Sequence, residues 1–283
     1  MRILLTNDDG ITSAGLWATA RGLTRVGHVT VVGTVEDWSN GSASVRHMIG
    51  ARIARYPDIP ADLGPNVEAY SIESSPGAAI LAGLMTGLFG EFDLVASGAN
   101  LGVNIGGDLI RSGTLGAATV GFDRGQTAFA ISTRRAAGEG EVQHWDGVAD
   151  VSEIVGRWLL ARQGPPILLN VNLPNRPYSE MAGAKVARPV AWSNLDRAEL
   201  GAQPEPDGSW SVTAWFDLDT PMPSDPETDS GAVLAGQIAI SHVMPTGRAC
   251  EAIPTDLGDL VALLTPAGAP TATIEPDAER GPE

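Results

Sequence analysis

Short apolar runs alternate with longer stretches of helical periodicity through the first half of the chain. The runs at 2–6, 28–33, 68–73, 92–97 and 127–132 are mostly continuous rather than alternating, as in strands covered on both faces. Between them, 13–25 places Leu16, Ala20 and Leu23 on one helical face, and 76–89 and 112–122 are further helix candidates. Strands interleaved with helices predict an α/β fold built on a parallel, doubly wound sheet. Ligands in such sheets sit beyond the carboxyl ends of the strands, and the polar clusters of this chain fall there.

Beyond residue 133 the pattern loosens. A helix is predicted over 145–162 and a strand over 167–172 (Ile-Leu-Leu-Asn-Val-Asn). Strand-like pieces at 184–188 and 210–216 follow, separated by Pro-, Asp- and Gly-rich segments at 203–208 and 220–231. Residues 228–241 read as a turn leading into a strand, and 256–264 as a short helix. The organisation expected is a core over 1–133 and a smaller, irregular C-terminal lobe over 134–264 that contains a hairpin. A tail over 265–283 has no periodic apolar face and is expected to be disordered.

Three clusters carry candidate chemistry. Thr6-Asn7-Asp8-Asp9-Gly10 follows the first strand. Such residues also make an ordinary strand-ending turn, but two adjacent carboxylates repel each other unless a cation lies between them, and oxygen-only ligands suit Mg2+, Mn2+ or Ca2+. Ser97-Gly98-Ala99-Asn100-Leu101-Gly102-Val103-Asn104 begins a small-residue loop in which Asn100 offers a neutral oxygen to a metal and Asn104 an amide to a phosphate. Ser112-Gly113-Thr114 opens a helix, either as a plain N-cap or as an anion site made by free N–H groups and the positive helix end. Arg111 stands immediately before it, placed for a bidentate contact.

Charge narrows the partners. The chain carries 34 acidic and 18 basic residues, a net charge of -16, with no basic run to attract nucleic acid or an anionic membrane. That field also repels a phosphate ligand, and a bound cation inverts its sign locally. No apolar run approaches the roughly 20 residues that span a bilayer. No signal peptide is evident, and the single cysteine, Cys250, has no internal disulfide partner, so a cytoplasmic location is expected. Glycine-rich dinucleotide and P-loop fingerprints, H-E-x-x-H and G-x-S-x-G are absent. The four histidines (His28, His47, His144 and His242) are scattered in no ligand-like spacing.

Together, Ile-Leu-Leu-Thr-Asn-Asp-Asp-Gly, Ser-Gly-Ala-Asn-Leu-Gly-Val-Asn and Ser-Gly-Thr-Leu-Gly-Ala-Ala resemble the SurE (survival protein E) family of 5'/3'-nucleotidases over about residues 1–130. The resemblance implies a Rossmann-like, doubly wound, mainly parallel sheet and an enzyme that oligomerises through its C-terminal part, as a homodimer or homotetramer. It implies one divalent metal (Mg2+ or Mn2+) per subunit on Asp8, Asp9, Ser39 and Asn100, and phosphate binding by Ser112, Gly113 and Thr114. The chain departs from the family at several points. Val35-Glu36-Asp37-Trp38-Ser39-Asn40-Gly41-Ser42 replaces Pro-Asp and Ser-Gly, which leaves Ser42 as an alternative to Ser39. Arg111 replaces a tyrosine, Val120 a glutamate, and Ser74-Ser75-Pro76 a Gly-Thr-Pro.

The reaction so implied is hydrolysis of a nucleoside 5'- or 3'-monophosphate. Asp8, Asp9 and Asn100 act through the metal, which neutralises phosphate and acidifies water, while Asn104, Arg111, Ser112, Gly113 and Thr114 hold the phosphate. No residue is assigned as general acid or base. A covalent aspartyl-phosphate enzyme and a non-catalytic nucleotide-binding module remain the alternatives; the lack of a D-x-D spacing counts against the first.

Overall fold

Strand β1 (Arg2–Thr6) lies at the middle of a sheet that grows outward from it in both directions. The computed structural model describes residues 1–46, 48–137, 140–216, 221–245 and 256–266. On one side β1 pairs in parallel with β2 (His28–Thr34), which pairs with β4 (Val67–Ile72); the short β3 (Ile53–Arg55) closes that edge antiparallel. On the other side follow β5 (Leu94–Leu101), β6 (Ala128–Thr133) and β7 (Leu168–Leu173), all parallel. Beyond them β11 (Ile238–His242) runs antiparallel to β7, and β8 (Ala184–Val186) pairs with β11 in parallel. The sheet is thus nine-stranded and mainly parallel, and its order reverses at β1.

Helices cover both faces. On one, α1 (Ala14–Leu23), α4 (Trp145–Ala161) and α6 (Leu257–Leu263) bury Leu16, Leu23, Val151, Val155 and Leu260 against Ile3, Leu5 and Phe129. On the other, α2 (Pro76–Met85) and α3 (Gly113–Asp123) bury Ile80, Leu115 and Phe122 against Leu4, Val32 and Val95. The caps are local chemistry: Ser13, Ser75 and Ser112 each accept from a backbone N–H in the first turn of α1, α2 and α3, with Pro76 opening α2.

Three elements differ from the sequence reading in ways that bear on the site or the surface. β5 does not stop at 97; it runs on through Leu101 past an irregularity between Gly98 and Asn100, because Asn100 and Leu101 still pair with Ser132 and Thr133. The segment read as a turn before the last strand contains a helix, α5 (Asp229–Leu234), capped by Thr228. Six residues are too few to show a helical period. Strand 210–216 is β10 (Trp210–Phe216), and it pairs with an unexpected β9 (Ala198–Pro204) as a separate hairpin. Ala, Gly and Pro in β9 give little strand signal. Of the expected disordered tail only Thr265 and Pro266 lie within the described residues, and His47 and Cys250 lie outside them.

Candidate metal and phosphate site

After β1 the chain turns at the carboxyl end of the strand where the order of the sheet reverses, the usual ligand position in such sheets. Asn7 holds the turn, its Nδ2 donating to the Gly10 carbonyl at 2.9 Å and to Ser13 Oγ at 2.8 Å. Asp8 is only 3% exposed, and its Oδ1 accepts from Thr114 Oγ1 at 2.7 Å. Asp9 Oδ2 accepts from the Leu101 N–H at 3.1 Å. Burial pushes the Asp8 carboxyl up to about 6, the Thr114 hydroxyl offsets part of that, and the charges of Asp9 and Asp37 add to it. Asp9 is raised as well, by burial first; the Leu101 N–H opposes the shift, Asp37 adds to it and Arg135 opposes it.

Among the described residues neither carboxylate forms an ion pair. Two adjacent, desolvated carboxylates without a cation favour a positive ligand between them. No three His, Cys, Asp or Glu side chains converge among the described residues, so a cation here would take its other protein ligands from neutral oxygens. Two candidates line one cavity of about 390 Å3 with Asp8. Asn100 turns its Nδ2 to the Gly102 carbonyl at 2.6 Å, which leaves its Oδ1 free of that bond. Ser39 is held by its N–H on Asp37 Oδ1 at 2.7 Å. Ser42 is engaged elsewhere, its Oγ donating to the Ile110 carbonyl at 2.8 Å. The set of hard oxygens fits Mg2+ or Mn2+.

The same cavity is lined by Asn104, Arg111 and Ser112. Ser112 Oγ accepts from the Leu115 N–H at 3.0 Å, so α3 begins at Gly113 with its first N–H groups outside the helical ladder. A Cβ on Gly113 would lie 2.7 Å from Asp8 Oδ2, so only glycine lets the helix start approach the carboxylate. Thr114 stands behind Asp8 rather than on the cavity wall. Asn104 is anchored from all sides: its Nδ2 donates to Ser132 Oγ at 2.9 Å and Thr114 Oγ1 at 3.3 Å, and its carbonyl accepts from Asn170 and Asn172. Its N–H donates to Asn172 Oδ1 at 2.8 Å. Arg111 Nη2 donates to Asp108 and, at 2.6 Å, to Ser193 Oγ.

Several site residues had no motif to reveal them. Asn170 and Asn172 alternate within buried β7 and hold the Asn104 loop; two polar residues two apart in a buried strand were the available signal. Arg135 lines the cavity just beyond the carboxyl end of β6, a position that the strand-end rule covers. Asp229 holds the other side of the loop, accepting from the N–H groups of Gly106 at 2.9 Å and Val190 at 3.0 Å. Two of the described histidines are engaged elsewhere: His28 faces Glu68 and His144 faces Asp146.

Comparison with known proteins gives a consistent result. The family model described as "Survival protein SurE" matches residues 3–195. A protein named 5'-nucleotidase SurE from Dehalococcoides mccartyi is 35% identical over 85% of this chain and 88% of its own. One of the same name from Stenotrophomonas maltophilia is 34% identical over 93% of this chain and 98% of its own. The crystal structure of the SurE protein from Aquifex aeolicus superposes with a TM-score of 0.66 at 26% identity, covering 86% of this chain and 93% of that one.

Proposed function

The chain belongs to the survival protein SurE family, and from that premise we propose that it is a 5'-nucleotidase, a phosphoric monoester hydrolase that cleaves nucleoside 5'- and 3'-monophosphates to nucleoside and phosphate. The observation that carries the reading is the adjacent pair of Asp8, buried, and Asp9, half-buried, neither in an ion pair with a described residue, beside the open start of α3. One divalent metal, Mg2+ or Mn2+, would be held by Asp8, Asp9, Ser39 and Asn100, and when bound it supplies charge neutralisation and an acidified water. Thr114 fixes the orientation of Asp8 through its hydroxyl. Ser112 and Gly113 present the N-terminus of α3 to the phosphate oxygens, where backbone N–H groups and the helix dipole both favour an anion. Arg111, steadied by Asp108 and Ser193, adds a guanidinium on the same wall. Asn104, its amide committed to Ser132 and Thr114, acts mainly by shaping that wall.

No described helix is long and apolar enough to cross a membrane, and we place the enzyme in the cytoplasm. Residues 134–264 complete the sheet, and the β9–β10 hairpin within them is the surface we assign to contact between subunits of a homodimer or homotetramer. The test is turnover of 5'-AMP with Mg2+ or Mn2+ and in excess EDTA, for the parent and Asp9→Asn. Activity should vanish on chelation and return with metal. An Asp9→Asn protein retaining more than about a tenth of parental activity, a barrier change under about 1.4 kcal/mol, would remove Asp9 from the metal.

A further inference from the structure

A second cavity, of about 610 Å3, opens beside the first and shares Asn40, Gly102, Val103, Arg135 and Asn194 with it. Three of the chain's 18 basic residues, Arg134, Arg135 and Arg197, line it, and no described carboxylate does. None of the three is in an ion pair with a described residue. Arg197 is set in place: its guanidinium lies 4.7 Å from the centre of the Trp192 ring, and its Nε is buried with no hydrogen-bond partner. A buried donor left unpaired is costly, and stacking on an aromatic ring lowers the entropy lost when an anion arrives. In a chain of net charge -16, guanidinium groups kept out of ion pairs on one concave wall mark a site for a polyanion. Met222 and Leu234 supply an apolar surface on the same wall, which suits a base.

We propose that this cavity binds a second phosphate carried by the nucleoside itself, so that nucleoside 3',5'-bisphosphates are better substrates than monophosphates. The proposal rests on the nucleotidase reading above, with the scissile phosphate in the smaller cavity and the departing nucleoside in the larger. Water adds its oxygen to phosphorus, the P–O ester bond breaks, and the sugar oxygen takes a proton. A bisphosphate thereby yields a monophosphate and inorganic phosphate.

The experiment compares kcat/KM for adenosine 3',5'-bisphosphate, ADP, 5'-AMP and p-nitrophenyl phosphate in the metal-loaded parent, Arg134→Gln and Arg197→Gln. The bisphosphate should exceed AMP by about tenfold in the parent, through KM, and each variant should lose most of that factor. Turnover of the aryl phosphate, which carries no second phosphate for Arg134 and Arg197, should stay at the parental value. Equal values for bisphosphate and AMP in the parent, or a ratio unchanged in both variants, would overturn the proposal. So would an advantage confined to ADP, which places the second phosphate next to the scissile one. Loss of all hydrolysis, aryl phosphate included, would instead count against the nucleotidase reading. Calorimetry then decides the subsite alone: the parent must bind the bisphosphate about tenfold more tightly than AMP, and Arg134→Gln must not.

Discussion

A carboxylate that loses its water on folding and gains one hydroxyl in return is held at a disadvantage at neutral pH. Asp8 is that case, its pKa pushed up to about 6 from the ordinary 3.8 chiefly by burial. The metal-free fold therefore binds more protons than the unfolded chain between about pH 4 and 6. Stability should rise as pH falls through that window and be lowest above it. The difference approaches roughly 3 kcal/mol at about 1.4 kcal/mol per pH unit. Melting in EDTA from pH 7.5 down to 4.5 tests it, with Asp8→Asn as the control, because acidification also relaxes the general negative charge. Parallel curves for parent and variant would show that Asp8 does not carry the effect. Metal should remove the disadvantage in another way, stabilising the parent by about 2.7 kcal/mol at a hundredfold excess over its dissociation constant. The serine ligand is a separate question. Ser39 faces the cavity whereas the Ser42 hydroxyl is bonded to Ile110, so Ser39→Ala should weaken metal binding more than Ser42→Ala. The reverse order in a metal titration would shift the ligand to Ser42.

At the scale of elements, the segment from Gly102 to Arg111 forms the cavity wall without belonging to the sheet beyond Leu101. It is suspended between the β7 asparagines and Asp229, which is fully buried and accepts three backbone N–H bonds. Asp229→Ala would leave the Gly106 and Val190 donors unpaired. A loss of about 1–3 kcal/mol is expected, or about 2–4 °C in Tm for each kcal/mol in a chain of this size. kcat/KM should fall with it, since Arg111 and Asn104 ride on that segment. An unchanged melting point would mean that water replaces the carboxylate. Such supports explain why the sequence is legible only in part. β1, β2 and β6 announce themselves because a strand buried on both faces must be apolar throughout, Asp8 because it stands where β1 ends, and Asn100 and Ser112 because a small-residue run and a helix-capping serine mark them. Asp229 and Asn172 stabilise the site from more than 65 residues away in the chain, as the Asn104–Asn172 separation of 68 shows. Nothing in local pattern encodes such a partner. The same holds for α5, too short for a period, and for β9, whose strand character comes from its partner β10.

For the molecule as a whole, the β9–β10 hairpin carries a face that the described residues leave exposed. It pairs with no strand of the main sheet. Register places Leu200 opposite Ala214, Ala202 opposite Val212 and Pro204 opposite Trp210, so these six share one face and that face is apolar. Leu200, Trp210 and Val212 are 74%, 65% and 69% exposed. A two-stranded hairpin is marginally stable in water without a packed face, and side chains of this size each gain about 1.5–3 kcal/mol on full burial. In the assembly proposed above, a second copy of the chain would supply the matching surface, yet each copy carries a net charge of -16 and repels the other. The two effects respond differently to salt. Screening shortens the reach of the repulsion from about 30 Å at 0.01 M to about 3 Å at 1 M and leaves apolar burial in place, so self-association should strengthen as salt is added. An assembly held by ion pairs would weaken over the same range. Sedimentation equilibrium of the parent at low and high salt, beside a Leu200→Ser/Val212→Ser double variant, distinguishes the two. The variant should dissociate at concentrations where the parent is assembled, with little change in the melting point of the separated subunit, because neither side chain is buried in the single chain. Unchanged assembly in the variant would place the contact on another surface.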